Sequence, residues 1–370
     1  MGFVVAMANV FRQIDESGGI FKDERVLQPE FLPEELPHRE AQKKDIAFAL
    51  NAARHGSRPE NVIAVGSPGT GKTVTVKLVM KELGESSAKV APIYINCWEF
   101  STRHAVLNKI CMALGAFVPR RGIAADEILE RIVEVLRKEK KVAVVALDEI
   151  DRLMAGRNED ERVLYDLLRA GETYGTAFGV VGITNNEDFM VKLDSRIRSS
   201  LAQKEVKFRR YDPGQLKDIL GERAKLAFQH GVLNGEVVPV CAAYAAKNGG
   251  DARLGIAMLL KAGKIAEREG PRKVEVAHCR KAFASAEATV REERLSGLNE
   301  VERRILEIAG KEGVISGELY GTLAKEFKET DRTVRNYLDR LEALKLISVE
   351  ERERGNGQKG NTRIIRARKE

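Results

Sequence analysis

The stretch GSPGTGKT, from Gly66 to Thr73, decides the fold of this 370-residue chain. It follows a short apolar run, Val62 to Val65, and precedes Val74 to Leu83, whose apolar residues recur at helical spacing. A strand, a glycine-rich loop ending in GK[ST] and a helix form the phosphate-binding P-loop in its required context. Glycines bring backbone N–H groups close to an anion, and the helix N-terminus adds partial positive charge. The stretch therefore predicts a nucleotide-phosphate site.

Within this loop, Lys72 is expected to reach the β- and γ-phosphates, and the Thr73 hydroxyl to bind Mg²⁺. The expected cofactors are ATP or ADP with Mg²⁺. Tyr211, further along the chain, is also predicted to bind the nucleotide. The residues of the loop itself that are predicted to hold the nucleotide are Gly66, Ser67, Pro68, Gly69, Thr70, Gly71, Lys72, Thr73 and Val74.

Composition excludes several classes of protein. Charged residues are 32% and hydrophobic residues 43% of the chain, which is typical of a soluble, folded protein of two or three domains. The net charge of +7 fits an anionic partner, although 62 bases against 55 acids make a mixed surface. No apolar run approaches the ~20 residues of a membrane span, so no membrane partner is expected. The four cysteines lack metal-ligand spacing, and a cytoplasmic location is expected.

A second apolar run, Val142 to Leu147, leads directly into Asp148 and Glu149. An apolar strand followed by two acids is the Walker B pattern. Asp148 is placed to hold Mg²⁺, and Glu149 to polarise the attacking water as a general base. Asp151 and Arg152 follow, and serve a neighbouring subunit or cap a helix.

Polar residues also end the next apolar run, AFGVVGIT from Ala177 to Thr184. Asn185, which follows it, is expected to orient the water or touch the γ-phosphate. Further on, Arg196 and Arg198 are candidates for an arginine finger that binds phosphate in cis or in a neighbour, with a solvated basic turn as the alternative for either one.

The regular alternation of strands and helices predicts a parallel sheet with helices on both faces, within a domain spanning residues 1–212 that includes an irregular N-terminal arm. Just upstream of the P-loop strand, the chain reads LPHRE from Leu36 to Glu40. His38 and Arg39 are candidates for stacking on adenine. The alternative is that Pro37 is simply the first residue of a helix.

From Pro213 the strands stop, and four helical patterns predict an all-helical domain over residues 213–292. Its notable feature is GGDAR, Gly249 to Arg253. Asp251 is predicted to cap a helix, which places Arg253 in the first turn, against the helix dipole. An anionic ligand from the first domain would explain that cation.

Residues 293–370 read as three short helices and a hairpin, the pattern of a winged helix-turn-helix. On the third helix, Val334, Tyr337, Leu338, Leu341 and Leu344 form an apolar stripe. The opposite face and the hairpin are predicted to bind DNA, through base edges and phosphates. The candidates are Arg332, Thr333, Arg335, Asn336, Arg340, Lys359 and Arg363. The alternative is a domain for protein contacts.

Taken together, these motifs resemble those of AAA+ ATPases, and more closely those of the archaeal replication initiators related to the eukaryotic origin recognition complex. The resemblance spans about Leu36 to Ala367. The stretches that carry it, besides the P-loop and the C-terminal pattern, are LPHRE, YINC at Tyr94 to Cys97, LDEIDRL at Leu147 to Leu153, GITNN at Gly182 to Asn186, and GDAR.

This resemblance implies roles that spacing alone does not give. Asn185 would be sensor 1, and Arg253 would be sensor 2 on a helical lid, both catalytic together with Lys72 and Glu149. An insertion between Trp98 and Arg137 would contact DNA, with Trp98 to Arg103 and Pro119 to Gly122 as candidates. The family's DPR-like stretch here reads Asp194-Ser195-Arg196, without the proline.

The function implied is a slow ATPase switch that binds double-stranded origin DNA and loads the replicative helicase, of the MCM type. Other initiator paralogues are possible partners, and the location would be the nucleoid region of the cytoplasm. Two other classes stay open: a clamp-loader-type or motor ATPase whose winged helix binds protein, and a transcription regulator that senses ATP.

Overall fold

The computed structural model describes residues 19–117, 122–154, 158–201, 204–270, 273–310, 312–327, 329–353 and 361–368. The side chains of 158–161, 289–291, 293, 351–353, 361 and 362 are outside that description. The chain divides into two compact units, Met1–Cys279 and Arg280–Glu370, which are described separately below.

A five-stranded parallel sheet is the centre of the first unit, which confirms the predicted sheet. In the order of the sheet the strands are β2, β3, β4, β1 and β5. Their bounds are β1 Val62–Val65, β2 Val90–Asn96, β3 Val142–Asp148, β4 Phe178–Thr184 and β5 Lys204–Lys207. All carboxyl ends point to one edge, where the loops after β1, β3 and β4 meet.

Both faces of this sheet are buried, because alternate residues of each strand enter different apolar clusters. Ile63 and Val65 of β1 join one cluster, whereas Val62 and Ala64 join the other. The helices that cover these two faces are α1 Glu40–Leu50, α2 Lys72–Ser86, α3 Arg103–Ala113, α4 Ala125–Glu139, α5 Asn158–Tyr174, α6 Phe189–Lys192 and α7 Ser195–Leu201.

Three local features differ from the sequence prediction. Strand β5 was not predicted, because it lies at the edge of the sheet and reads KEVK, with only Val206 buried. Helix α3 begins at Arg103 rather than Trp98, after a turn that ends with Thr102 as N-cap. Arg196 and Arg198 lie in the short helix α7, not in a basic turn.

The N-terminal arm packs against the helical part of the same unit. The amide of Lys22 donates to Ala227 O at 2.7 Å, and the carbonyl of Ile20 accepts from the amide of Gln229 at 3.0 Å. The Phe21 and Phe228 rings lie 4.9 Å apart. These contacts bond the arm to the end of α8 and to the segment that follows it.

The helical part follows β5 as predicted, and its helices are α8 Pro213–Ala227, α9 Val237–Lys247, α10 Ala252–Glu269 and α11 Val276–Ser296. Asp212 begins α8 with a complete capping box that includes Gln215. Helices α9 and α11 bring the buried thiols of Cys241 and Cys279 to 3.8 Å. Sequence spacing gave no sign of that pair. Among the described residues, no group of His, Cys, Asp and Glu is arranged to hold a metal ion.

The second unit contains the predicted three helices and hairpin. These elements are α12 Glu300–Ala309, β6 Val314–Ile315, α13 Ser316–Phe327, α14 Asp331–Ala343, β7 Ile347–Glu353 and β8 Asn361–Ala367. β8 pairs antiparallel with both β6 and β7. The apolar stripe of α14 lies in or against the core of this unit, as predicted.

Within the described residues, no helix is both long and apolar enough to cross a bilayer.

Candidate functional site

The P-loop connects β1 to α2 at the carboxyl edge of the sheet. Helix α2 begins at Lys72, and its N-cap is Gly71, whose φ of +88° falls in the left-handed region that favours glycine. A Cβ on Gly71 would also lie 2.6 Å from the Tyr211 hydroxyl oxygen. Glycine is therefore required at this position by both the backbone and the packing.

The Lys72 side chain lies across the loop. Its ammonium donates to the carbonyls of Gly66 at 2.8 Å and Ser67 at 2.9 Å, and to Asn185 Oδ1 at 2.7 Å. Burial lowers the pKa of Lys72 to about 8, although the nearby carboxylates of Glu149 and Asp148 oppose that shift. The ammonium is thus held by neutral acceptors at the place where phosphates are expected.

Asp148 ends β3 and is nearly buried. Its Oδ2 accepts from the Thr73 hydroxyl at 2.9 Å and from the Tyr94 hydroxyl at 2.6 Å, while Oδ1 accepts from the amide of Glu149 at 3.0 Å. The two residues predicted to bind Mg²⁺ are therefore adjacent. Tyr94, which sequence reasoning did not assign to the site, orients the carboxylate from β2.

Glu149 and Asn185 form the next layer of the cleft. The Asn185 Nδ2 donates to Glu149 Oε1 at 2.8 Å, so one amide bridges this carboxylate and the Lys72 ammonium. Glu149 has a φ of +55°, a backbone conformation that costs a non-glycine residue on the order of 1 kcal/mol or more. The turn that carries this strain aims the carboxylate into the cleft.

Arg253 enters the same cleft from the helical part of the unit. As predicted, Asp251 is the N-cap of α10, accepting from the amide of Arg253 at 2.9 Å. The same carboxylate also binds the Arg253 guanidinium, through Nε at 3.2 Å and Nη2 at 2.8 Å. The cation that the sequence left without a partner is therefore paired within its own helix.

The residues that line this cleft come from the arm, the sheet domain and the helices after β5. They are Leu36, Pro68, Gly69, Gly71, Lys72, Thr73, Val74, Asp148, Glu149, Asn185, Tyr211, Ile219, Arg223, Ala252, Arg253 and Ile256. Five of these residues were not predicted: Leu36, Ile219, Arg223, Ala252 and Ile256. No local sequence pattern distinguishes residues that line a cleft from residues elsewhere on the same helix or arm.

A second cavity, of about 610 Å³, adjoins the first and shares Leu36, Tyr211, Ile219 and Arg223 with it. Its other walls include Phe31 and the Pro33–Pro37 stretch of the arm. The Arg223 guanidinium donates to Val26 O at 2.9 Å and lies over the Phe31 ring. Burial lowers the pKa of Arg223 to about 10.

His38 and Arg39 are not among the residues that line either cavity, and their interpretation as adenine contacts stays a prediction. The Arg39 guanidinium donates to Thr70 O, His38 O and Arg209 O at 2.7–2.8 Å and stacks on the Tyr211 ring at 3.8 Å. The alternative for Pro37 is wrong, because α1 begins at Glu40 with Arg39 as N-cap.

His38 has a φ of +65°, and its Nε2 lies 2.9 Å from a carboxylate oxygen of Asp218 on α8. Ser67 Oγ accepts from Arg210 Nε at 3.2 Å, and Thr70 donates back to Ser67 O at 2.8 Å. Arg210 was not predicted, because its signal is only a basic residue after an edge strand. The contact between Arg210 and Ser67 attaches the P-loop to the segment that leads into α8, and the contact between His38 and Asp218 attaches the arm to α8 itself.

The arginine finger candidates lie on α7, away from the cleft of their own chain. Arg196 is exposed and paired with Asp194 through Nε at 3.1 Å. Arg198 is also exposed. Neither lines the cleft, and their role towards a neighbouring chain stays a prediction.

The candidate DNA contacts of the insertion are corrected in part. Arg103 is paired with Asp126 and Asp166, and is mostly buried. The Trp98 ring is exposed and stacks under the Arg152 guanidinium at 3.1 Å, while Asp151 accepts from the Thr184 hydroxyl. Residues 119–121 of the second candidate stretch lie outside the described residues, and Gly122 is exposed.

In the second unit, the open face of α14 carries Arg332, Arg335 and Asn336, all exposed, with Thr333 half-buried. Arg340 differs from them, because its Nη1 donates to the buried Glu302 carboxylate at 3.0 Å and its Nη2 donates to Gly297 O. Arg340 thus has a structural partner within its own unit, and its interpretation as a DNA contact stays a prediction. Arg363 lies on β8, and Lys359 lies outside the described residues.

Comparisons with known proteins agree with this geometry. Residues 62–210 match the ATPase family associated with various cellular activities (AAA), and residues 217–284 match the Cdc6 AAA+ ATPase-type lid domain. The chain is 37% identical over 358 residues to ORC1-type DNA replication protein 2 of Methanosarcina mazei, covering 95% of this chain and 94% of that one.

One further sequence and one solved structure are also similar to this chain over most of its length. The ORC1-type DNA replication protein of Thermococcus kodakarensis is 41% identical over 301 residues, 79% of this chain and 72% of its own. The structure of the Aeropyrum pernix ORC1 protein in complex with DNA is similar at a TM-score of 0.72 and 33% identity, covering 94% of both chains. The chain therefore belongs to the ORC1-type DNA replication proteins, built on an AAA+ ATPase core with a Cdc6-type lid.

Proposed function

We propose that this chain is an ATP-dependent DNA replication initiator, whose nucleotide state controls how it engages duplex DNA. The observation that carries the proposal is the convergence of Lys72, Asp148, Glu149, Asn185 and Arg253 on one cleft. Membership of the ORC1-type family supports the same function over almost the whole chain. A motor or a transcription regulator has no comparable support.

The nucleotide would span the two adjoining cavities. Its phosphates would lie on the loop and the start of α2, where backbone N–H groups and Lys72 supply positive charge. Its base would enter the cavity of about 610 Å³, which lies within the size range of small-molecule sites. Tyr211 and Leu36 line both cavities, so they would contact the nucleoside between base and phosphates.

Thr73 and Asp148 fit a magnesium site. Their oxygen atoms are 2.9 Å apart at the edge of the cleft, and Mg²⁺ commonly takes one or two protein oxygens together with phosphate and water oxygens. Tyr94 would keep the Asp148 carboxylate in place. When bound, Mg²⁺ would neutralise part of the phosphate charge.

In hydrolysis, Glu149 would accept a hydrogen bond from the attacking water and Asn185 would hold it in line with the terminal phosphorus. Both side chains are within hydrogen-bond reach of one another, so one water can meet both. Lys72 and Arg253 would neutralise the charge that develops on the phosphate oxygens from two sides.

We propose that turnover is slow and acts as a switch. Loss of the terminal phosphate would remove the ligand that Arg253 holds, and the lid would change position. Other chains would contribute Arg196 or Arg198 to this site in an assembly. The replicative helicase and paralogous initiators are the proposed partners, with the protein located at the nucleoid.

DNA would be bound by the second unit through α14, with Arg332, Arg335 and Asn336 facing the major groove. The DNA complex of the similar Aeropyrum pernix ORC1 protein supports this proposal. Salt should weaken binding steeply, because phosphate contacts release counterions.

The test is footprinting on the host's own chromosomal DNA, with ATP and with ADP, using the unmodified protein and Lys72→Ala. We expect discrete protected sites at an origin whose extent depends on the nucleotide, and no nucleotide dependence in the variant. A matched control is Lys81→Ala, an exposed lysine on the same helix. Protection confined to promoters would support a regulator instead, and fast turnover by hexamers without DNA protection would support a motor.

A further inference from the structure

The start of α10 is attached directly to the P-loop. The amide of Ala252 donates to the carbonyl of Gly69 at 3.2 Å. A Cβ on Gly69 would lie 1.8 Å from Asp251 Oδ1, so the Asp251 carboxylate rests on the glycine backbone itself. Only a residue without a side chain permits this approach. An acidic side chain thus packs directly against the loop of a site built for anions.

That carboxylate accepts three hydrogen bonds from one residue. Oδ1 accepts from both the amide and the Nε of Arg253, and Oδ2 accepts from its Nη2. This fork is the geometry in which arginine also binds phosphate. A phosphate that takes this Nε and Nη2 edge of the guanidinium must therefore displace Asp251.

The ion pair between Asp251 and Arg253, called the clamp below, lies close enough to the phosphate site to affect its electrostatics. Both Asp251 and Arg253 contribute to the charge that Lys72 experiences, in opposite directions. While Arg253 is clamped, its charge is largely cancelled. Lys72 then supplies the positive charge of the P-loop side of the cleft. A phosphate can bind Arg253 only by replacing the Asp251 carboxylate.

We propose that Asp251 is a specificity-determining residue, which competes with the terminal phosphate for Arg253 and so sets the preference of the cleft for ATP over ADP. The proposal depends on the proposed function, because it assumes that the cleft binds these nucleotides. A doubly charged terminal phosphate reaching the lid can replace the carboxylate. A nucleotide that ends one phosphate earlier leaves Arg253 on Asp251.

Because ATP must break the ion pair between Asp251 and Arg253 in order to bind Arg253, the free energy of that ion pair reduces the favourable free energy of ATP binding. Arg253 is substantially exposed, so the clamp is worth no more than an exposed ion pair, which corresponds to a change of up to about fivefold in affinity. Asp251 therefore tunes the ratio of affinities, and its removal should not abolish binding of either nucleotide.

The test measures equilibrium affinities by calorimetric titration with ADP and with the non-hydrolysable β,γ-imido analogue of ATP. Asp251→Asn and Asp251→Ser keep an oxygen that caps α10 but remove the charge. We expect the triphosphate-to-ADP affinity ratio to rise in both variants, by up to about fivefold. In an Arg253→Ala background the same substitutions should leave the ratio unchanged.

Asp212→Asn is the matched control, because Asp212 is also an N-cap of a lid helix but makes no contact with Arg253 in the structure. It should leave the ratio unaltered. An unchanged or reduced ratio in Asp251→Asn, or a rise that persists without Arg253, would overturn the proposal while both nucleotides still bind. Failure of the unmodified protein to bind either nucleotide would instead defeat the proposed function.

Discussion

Asn185 Oδ1 lies 2.7 Å from the Nζ of Lys72, so the polar residue that ends β4 directly contacts the amine of the P-loop. Its Nδ2 holds Glu149 at the same time. Phosphates that bind Lys72 would release the amide oxygen from the ammonium. Asn185 would then be free to hold a water beside Glu149, which links nucleotide binding to the assembly of the hydrolytic site.

From this relationship we predict that Asn185→Ala lowers the single-turnover rate of ATP hydrolysis by about 10- to 100-fold, while nucleotide affinity changes much less. The measurements are rapid-quench hydrolysis and calorimetric titration. Asn186→Ala is the control, because that neighbouring amide accepts from the backbone of Asp188 and does not line the cleft. Equal rates for the two variants would contradict the role of Asn185.

The depressed pKa of Lys72 predicts a pH dependence of nucleotide binding. The ammonium form binds phosphate, and below pH 8 the free protein already carries that proton. Above about pH 8, the proton must be taken up on binding, so affinity falls as pH rises, by at most about tenfold per pH unit. Titrations from pH 7 to 9.5 test this. Lys72→Arg, which stays charged, should show no such fall, and a parallel decline in both proteins would rule out Lys72 as the cause.

The contact between Gly69 and Asp251 predicts that Gly69→Ala weakens ATP binding by about 1–3 kcal/mol. The new Cβ would strain a φ of +71° and push the lid helix off the loop. Gly115→Ala is a matched control, since its φ is +75° with open space around a Cβ. It shares the backbone strain without the lid contact. If Gly69→Ala binds ATP as tightly as the unmodified protein does, the contact between the lid helix and the P-loop is not needed for ATP binding.

Arg39→Ala should lower the free energy of unfolding of the first unit by about 2–4 kcal/mol, because three backbone carbonyls lose their donor. Denaturant unfolding followed by circular dichroism measures the change. The control is Arg54→Ala, which removes an exposed arginine from the short 3-10 helix Asn51–His55 that follows α1. It should change the free energy of unfolding by less than about 0.5 kcal/mol. If the two variants unfold alike, Arg39 does not hold the loop.

Arg332→Ala and Arg335→Ala should each weaken duplex binding by about 1–3 kcal/mol if they contact base edges. Fluorescence anisotropy at fixed salt provides the measurement. Arg303→Ala, which removes an exposed arginine from α12 of the same unit, should have little effect. Losses of the same size for all three arginines would indicate general electrostatic attraction rather than recognition by α14.

Sequence reasoning predicted the sheet and the lid helices well, because both depend on local patterns. Apolar runs identify buried strands, and the P-loop spacing identifies the anion site. The same reasoning missed β5, since an edge strand with one buried residue carries little apolar signal.

Side-chain partners could not be predicted from local pattern. Arg39, Arg103 and Arg340 each looked available for a ligand, yet their partners are brought in from distant parts of the chain. Glu302, the partner of Arg340, lies 38 positions earlier and is fully buried. Long-range pairing of charges depends on tertiary contacts, which one sequence does not reveal.

The arm gives the lid a second attachment to the sheet domain. Residues 20–26 are bonded to α8 and the segment after it, whereas Arg39 is anchored to the P-loop and begins α1. The other attachment outside the cleft is the chain from β5 through Tyr211. The hydrogen bond from Ala252 to Gly69 lies at the cleft itself and would break when the cleft opens. A body held at two separate points retains one easy rotation, about the line that joins them. The lid should therefore open the nucleotide cleft by rotating about a single fixed axis. Deleting the arm should allow the lid to rotate about other axes as well.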